Sequence, residues 1–139
     1  MHTVGVMMSE IRPDDIAPPA ANYAHAVLTP SASRWLYTSG VVPIAPDGTV
    51  PAAIAEQAEV VWTNIAAMLR DAGMAPADIV SVTTYVVASD HLADDLPTVM
   101  RVRDGALGTH RAASTLVSVP ALARPEWRME VAVVAAAAG

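Results

Sequence analysis

The sequence predicts an α+β domain in which two helices cover one face of a mixed, six-stranded sheet. Residues 127–134 alternate Trp127, Met129, Val131 and Val133 against Arg128, Glu130, Ala132 and Val134, a period of two that marks a strand. Residues 53–72 repeat Ile54, Ala58, Val61, Ile65, Met68 and Ala72 at spacings of three and four, one apolar helical stripe. The order along the chain is strands, helix, strand, helix, two strands. Helices layered on a sheet bury all those faces in one core.

Taken in order, the apolar run Val4 to Met8 reads as an edge strand, and Pro13, Pro18 and Pro19 then break regular structure. A strand enters at Tyr23, a second covers Arg34 to Ser39, and Asp47-Gly48 signals a tight turn. Gly73 is placed to end the first helix as a left-handed cap. Asp78 to Ala88 is rich in β-branched residues, a strand signal. Ser89-Asp90 caps a second helix to about Leu107, with an interruption expected near Pro97 and Gly105 and Gly108 closing it. Ala113 to Val119 and Trp127 to Val134 make the last two strands, read as a hairpin whose connection, ALARPE, is punctuated by Pro125. No linker, repeat or composition break divides residues 1–139, so one domain is expected.

Composition narrows the function. Hydrophobic residues make up 53% of the 139 and charged residues 16%. Much of that apolar excess is alanine, as suits a thin core or buried subunit faces. With both helices on one face and no third helix for the other, association through that other face is the economical arrangement. A net charge of −6 gives nucleic acid no cationic surface to bind, which disfavours a nuclease. The absence of cysteine excludes disulfides, thiolate catalysis and Cys-based metal sites. Four scattered histidines with no i, i+4 pair offer no metal site, and no phosphate loop, nucleophile elbow or dinucleotide fingerprint appears. No basic leader and no run of about 18 apolar residues is present, so a cytoplasmic protein without a membrane partner is the default.

The blocks YAHAV (23–27) and LYTSG (36–40), a Pro and Gly turn, a helix carrying Gln57 and Asn64, DIVSVTTYV (78–86) and the final strand pair occur in that order. In this the chain resembles the RidA (YjgF) family from roughly Ile16 to Ala135. The resemblance implies a chorismate-mutase-like fold, a homotrimer with a small-molecule cleft at each subunit boundary, and no cofactor. It also implies imine or enamine deamination, a hydrolase chemistry. It places Tyr23 in the cleft, although a half-buried aromatic at a strand start is the alternative. Ser39 and Gly40 offer a hydroxyl and close backbone approach for an anion or carbonyl, or else a simple turn.

Three departures weaken the usual chemistry. The family's deaminases grip the substrate carboxylate with an arginine, and Ser114 stands at that position; only a guanidinium offers the bidentate fork. The glutamate that positions water aligns with Ala132, and a cleft asparagine aligns with Met100. Arg111, three residues before Ser114, is a candidate replacement anchor, or a solvated loop arginine. Glu130 shares the strand face of Ala132 and is the candidate acid or base, unless it pairs with Arg128 or Arg124. His110 is a second candidate proton carrier, while His25 reads as structural and His91 as a surface residue. The backbone near Gly40 and near Thr115 is expected to donate hydrogen bonds to the ligand. Trp127 suits a pocket wall or, more commonly, packed core. The reading is a divergent RidA-like enzyme on an imine, enamine or related carbonyl metabolite, with a tie to secondary metabolism suggested by the apolar cleft. The alternative is a non-catalytic binding or regulatory trimer.

Overall fold

The computed structural model describes residues 8–139. The predicted strand at Val4 to Met8 falls outside that range apart from Met8, which is not in a strand. Six strands and two helices follow: β1 (Ser9–Ile11), β2 (Ala26–Leu28), β3 (Arg34–Tyr37), α1 (Ile54–Asp71), β4 (Ile79–Val87), α2 (Leu92–Leu107), β5 (Ala113–Val119) and β6 (Met129–Ala137). The long strands form a four-stranded sheet in the order β3-β6-β4-β5, with β4 and β5 parallel and the other pairings antiparallel. β1 and β2 pair as an antiparallel ribbon. A parallel bridge from Ala24 to Ala113 joins this ribbon's approach to β5.

The expected hairpin of the last two strands is corrected. β4 lies between β5 and β6, because β5 arrives through α2 and pairs parallel to β4. A parallel pair needs such a helical crossover, and the 120–128 connection then steps across β4 to the antiparallel slot on its other side. β6 also starts later and runs longer than predicted, since Ala135, Ala136 and Ala137 continue the ladder opposite β3.

α1 matches its prediction within a residue at each end. Ile54, Ala58, Val61 and Ile65 are buried as the stripe requires, but Met68 is 40% exposed and Leu69 takes its place at 1%. The stripe drifts because 3.6 residues per turn do not match repeated spacings of three and four over a long helix. Gly73, at φ +70°, closes α1 with Met74 N–H donating to Leu69 O (2.8 Å) and Gly73 N–H to Arg70 O (3.0 Å). The Arg34 guanidinium, reaching over from β3, adds a bond to Ala72 O at 2.8 Å.

α2 runs unbroken through Pro97, against the expected interruption. The carbonyl that Pro97 cannot serve belongs to Ala93, which is exposed and open to water. Gly105 lies inside the helix rather than closing it; Gly108 is the C-cap. At the other end the cap residue is His91, whose N–H is taken by Ser89 Oγ at 3.1 Å.

Both helices pack on one sheet face. Val82 and Val86 of β4, Val131 and Val133 of β6, and Val61, Ile65 and Val99 of the helices belong to the same buried cluster. Alternate residues point to the opposite face, where no described helix lies. Trp35 (47% exposed), Tyr37 (71%) and Val117 (39%) are on that side.

Candidate functional site

The uncovered face carries an ordered grid of side chains set by strand register. Thr83 of β4 lies between Thr115 of β5 and Ala132 of β6; Tyr85 lies between Val117 and Glu130. Glu130 is the carboxylate in this grid. Its side chain lies against Gly40, in the space that a Cβ at position 40 would occupy. The Val41–Val131 bridge sets this contact, with hydrogen bonds of 2.7 and 3.1 Å in the two directions. The close backbone approach anticipated at Ser39-Gly40 is therefore made by a carboxylate of the chain itself. Ser39 is exposed beside it. Ser39 and Gly40 line a recess with Tyr37, Val42, Asn64 and Met68.

The other predicted residues stand elsewhere. Ser114 is in register with the buried Val82, so its side chain faces the helices, while Ala113 and Thr115 face the other way. There the Ser114 hydroxyl accepts from Arg103 Nη1 at 3.1 Å. The Arg103 side chain, 6% exposed, also contacts Asn22 O (3.4 Å) and pairs with Asp104 (3.0 Å). Arg103 is a buried arginine that sequence reasoning missed. The signal available was a cation at the i+4 position from Val99 on the buried stripe of α2.

Arg111 donates to the Tyr23 carbonyl and lies 3.5 Å from Glu10 Oε1. It ties β1 and the Tyr23 loop to the entrance of β5. The Tyr23 hydroxyl accepts from Ala20 N–H at 3.2 Å, and its ring meets His25 edge-on at 6.0 Å. His25 in turn bonds Ala17 O at 2.7 Å, the structural role its motif suggested. His110 Nε2 is 2.6 Å from the Ile79 carbonyl, an acceptor, so that nitrogen carries the proton and holds the start of β4. Met100 is half-buried on α2, in the helix layer. Glu130 pairs with neither expected arginine: Arg128 meets Asp95 at 2.9 Å, and Arg124 stacks over Trp127 at 5.3 Å. Among the described residues no metal-binding cluster is present, and no helix is long and apolar enough to cross a membrane.

The chain thus brings Glu130, Gly40, Ser39 and Thr115 to the uncovered face, and adds Thr83 and Tyr85, which sequence reasoning missed. Tyr23, Arg111 and His110 gather at the β5 edge, and Met100 stands behind the sheet. A carboxylate on an uncovered face of an α+β sheet defines a candidate small-molecule cleft that would need a second wall.

The family model described as Endoribonuclease L-PSP matches residues 15–137, and the chain belongs to that family, known also as RidA or YjgF. The chain is similar to a RutC family protein of Haemophilus influenzae, 38% identical over 82 residues. That match covers 58% of this chain and spans 61% of that relative's length. The Rid family protein YyfB of Yersinia pestis, of unknown function, superposes with a TM-score of 0.82 at 28% identity, covering 94% of this chain and 99% of its own. The fold is shared with E. coli TdcF with bound serine, at a TM-score of 0.67 and 21% identity over 94% and 99% of the two chains.

Proposed function

We propose that this protein is a RidA-like enzyme hydrolysing an imine, enamine or related carbonyl metabolite, with Glu130 as acid and base in a cleft between subunits of a homotrimer. The observation that carries this reading is the Glu130 carboxylate seated on Gly40 at the uncovered face, without an ion-pair partner among the described residues. Glu130 takes a proton from water as the oxygen adds to the C=N carbon. It gives that proton to nitrogen to complete a carbinolamine. It then takes the carbinol hydroxyl proton as the carbonyl forms and passes it to nitrogen as the C–N bond breaks, releasing ammonia. Thr83, Thr115 and Tyr85 line the same face and orient the ligand by hydroxyl contacts, and Met100 of another subunit supplies an apolar wall. Tyr23 and Arg111 hold the cleft edge through the contacts described, and His110 fixes the start of β4.

The substrate of this reading lacks a carboxylate. The basic side chains are all arginine, and Arg103, Arg111 and Arg128 are each engaged by acids other than Glu130. A nuclease activity, the sense of the family model's description, has a chain of net charge −6 against it. The absence of a second carboxylate at Ala132 favours one rival reading, a binding or regulatory trimer without turnover.

The test is ammonia release over the spontaneous background from freshly generated 2-iminopropionate and from uncharged ketimines. The expected result is acceleration of the uncharged substrates, with little for 2-iminopropionate, and a loss of about 100-fold in Glu130→Gln. Ligand binding without acceleration of any imine would replace this reading with the rival one.

A further inference from the structure

A second recess opens in the helix layer, away from the uncovered sheet face. It has a volume of about 640 Å³ and lies between α1 and α2. That size falls within the usual range for small-molecule pockets. Its apolar surface comes from Trp62, Ile65, Leu69, Ile79, Val102 and Ala106. Gly105 keeps the groove wide, since a Cβ added there meets nothing within 4 Å.

Two features give this groove a chemical preference. Trp62 is 6% exposed, and its indole Nε1 is buried without a hydrogen-bond partner. With that N–H sealed from the groove, Trp62 contributes its ring as apolar wall rather than as a donor. Arg70 of α1 and Arg101 of α2 also line the groove. Arg12, Arg34, Arg103, Arg111, Arg124 and Arg128 each have a contact within the chain. Among the described residues Arg70 and Arg101 are the two arginines whose side chains have no hydrogen bond, ion pair or ring contact. The lining thus offers donors from both helices against one carboxylate, Glu59. A chain of net charge −6 does not gather anions by its overall field, so attraction here would be local to the arginine pair.

We infer that the α1–α2 groove binds an amphipathic monocarboxylate, its apolar body against Trp62 between the helices and its carboxylate held by Arg70 and Arg101. This site is separate from the cleft at Glu130 and does not depend on the activity proposed there.

The probes are decanoate, decanol and decylammonium, titrated into the full chain while the indole N–H signals of its three tryptophans are followed by NMR. Trp62→Phe identifies the Trp62 signal. Decanoate is expected to shift that signal saturably, with decanol about tenfold weaker, the scale of one charge-assisted hydrogen bond, and decylammonium inert. The double variant Arg70→Gln/Arg101→Gln, altered only at exposed positions, should bind decanoate about tenfold more weakly. Gly105→Leu should fill the groove and abolish the shift. A stationary Trp62 signal, equal binding of decanoate and decanol, or undiminished binding by the arginine double variant would each overturn the inference.

Discussion

The carboxylate of Glu130 rests on the Cα of Gly40, and a Cβ at position 40 would overlap Oε2 and lie 2.8 Å from the carboxyl carbon. The pair joins the segment after β3 to β6 next to the Val41–Val131 bridge. Glycine is required here by contact rather than by backbone conformation, since Gly40 is not among the glycines with positive φ.

Gly40→Ala should therefore separate function from stability. The displaced atoms are the end of a flexible side chain, so the carboxylate swings away at a cost of about 1 kcal/mol or less. Imine hydrolysis should fall nearly as far as in Glu130→Gln, with thermal unfolding almost unchanged. A variant with full activity would show that the seat on Gly40 does not set the position of the working carboxylate.

Gln57 is the polar centre of the core, fully buried on α1. Its Nε2 donates to Pro51 O (2.7 Å) and Glu126 O (2.9 Å), and its Oε1 accepts from Arg128 N–H (2.8 Å). One side chain thus fixes both the entry to α1 and the approach to β6. Gln57→Leu strands three backbone groups and should cost about 3 kcal/mol. Denaturant unfolding would read this as a lower midpoint at unchanged slope.

Arg103 joins α2, β5 and the Tyr23 loop through Ser114, Asn22 and Asp104. Its ion-pair partner Asp104 is 37% exposed, so the pair is partly screened. Arg103→Leu should cost about 2 kcal/mol, chiefly from the stranded acceptors. Hydrogen exchange should quicken first at Ala24, whose N–H bonds Ala112 O at 3.0 Å. Uniform loss of protection across the sheet would instead mark Arg103 as a general core residue.

The helices and long strands were legible because each has one buried face, and a single buried face imposes a period. What was not legible depends on pairing. The parallel register of β5 on β4 is a long-range choice, and it turns Ser114 toward the helices and Thr115 away from them. Reading Ser114 as a cleft position required that orientation, which no local pattern contains. Arg103 was hidden for a related reason: a lone arginine on a helix stripe looks solvated until a hydroxyl on another element is brought beside it. The face of Glu130 was legible because the alternation of β6 fixes it without any partner.

Asp47 supplies the pH-dependent element. Its side-chain bond from the Thr49 hydroxyl (2.7 Å), then that from the Thr49 N–H (3.1 Å), hold its carboxyl below the usual carboxylate range. A depressed folded-state value stabilises the turn above the unfolded carboxylate pKa, and that contribution fades as pH falls through the lower folded value. The Thr49 amide signal should therefore titrate at acid pH with the Asp47 carboxyl, and Asp47→Ala should abolish the titration. Because the group is exposed, global stability should hardly change.

The uncovered face yields a test of assembly. Trp35, Tyr37 and Val117 are exposed there, around the half-buried Thr83, Tyr85 and Val134. An exposed apolar patch on a sheet face is disfavoured in water and marks an association surface. Met100 stands in the helix layer, so it can approach a Glu130 cleft only as another subunit's residue. For the proposed homotrimer, light scattering should give about three times the 14.5 kDa chain mass. Val117→Arg, which places a charge on that face, should dissociate the assembly and remove activity together, with the secondary structure retained. A monomer that keeps full activity would sink the inter-subunit cleft and leave Glu130 working within a single chain.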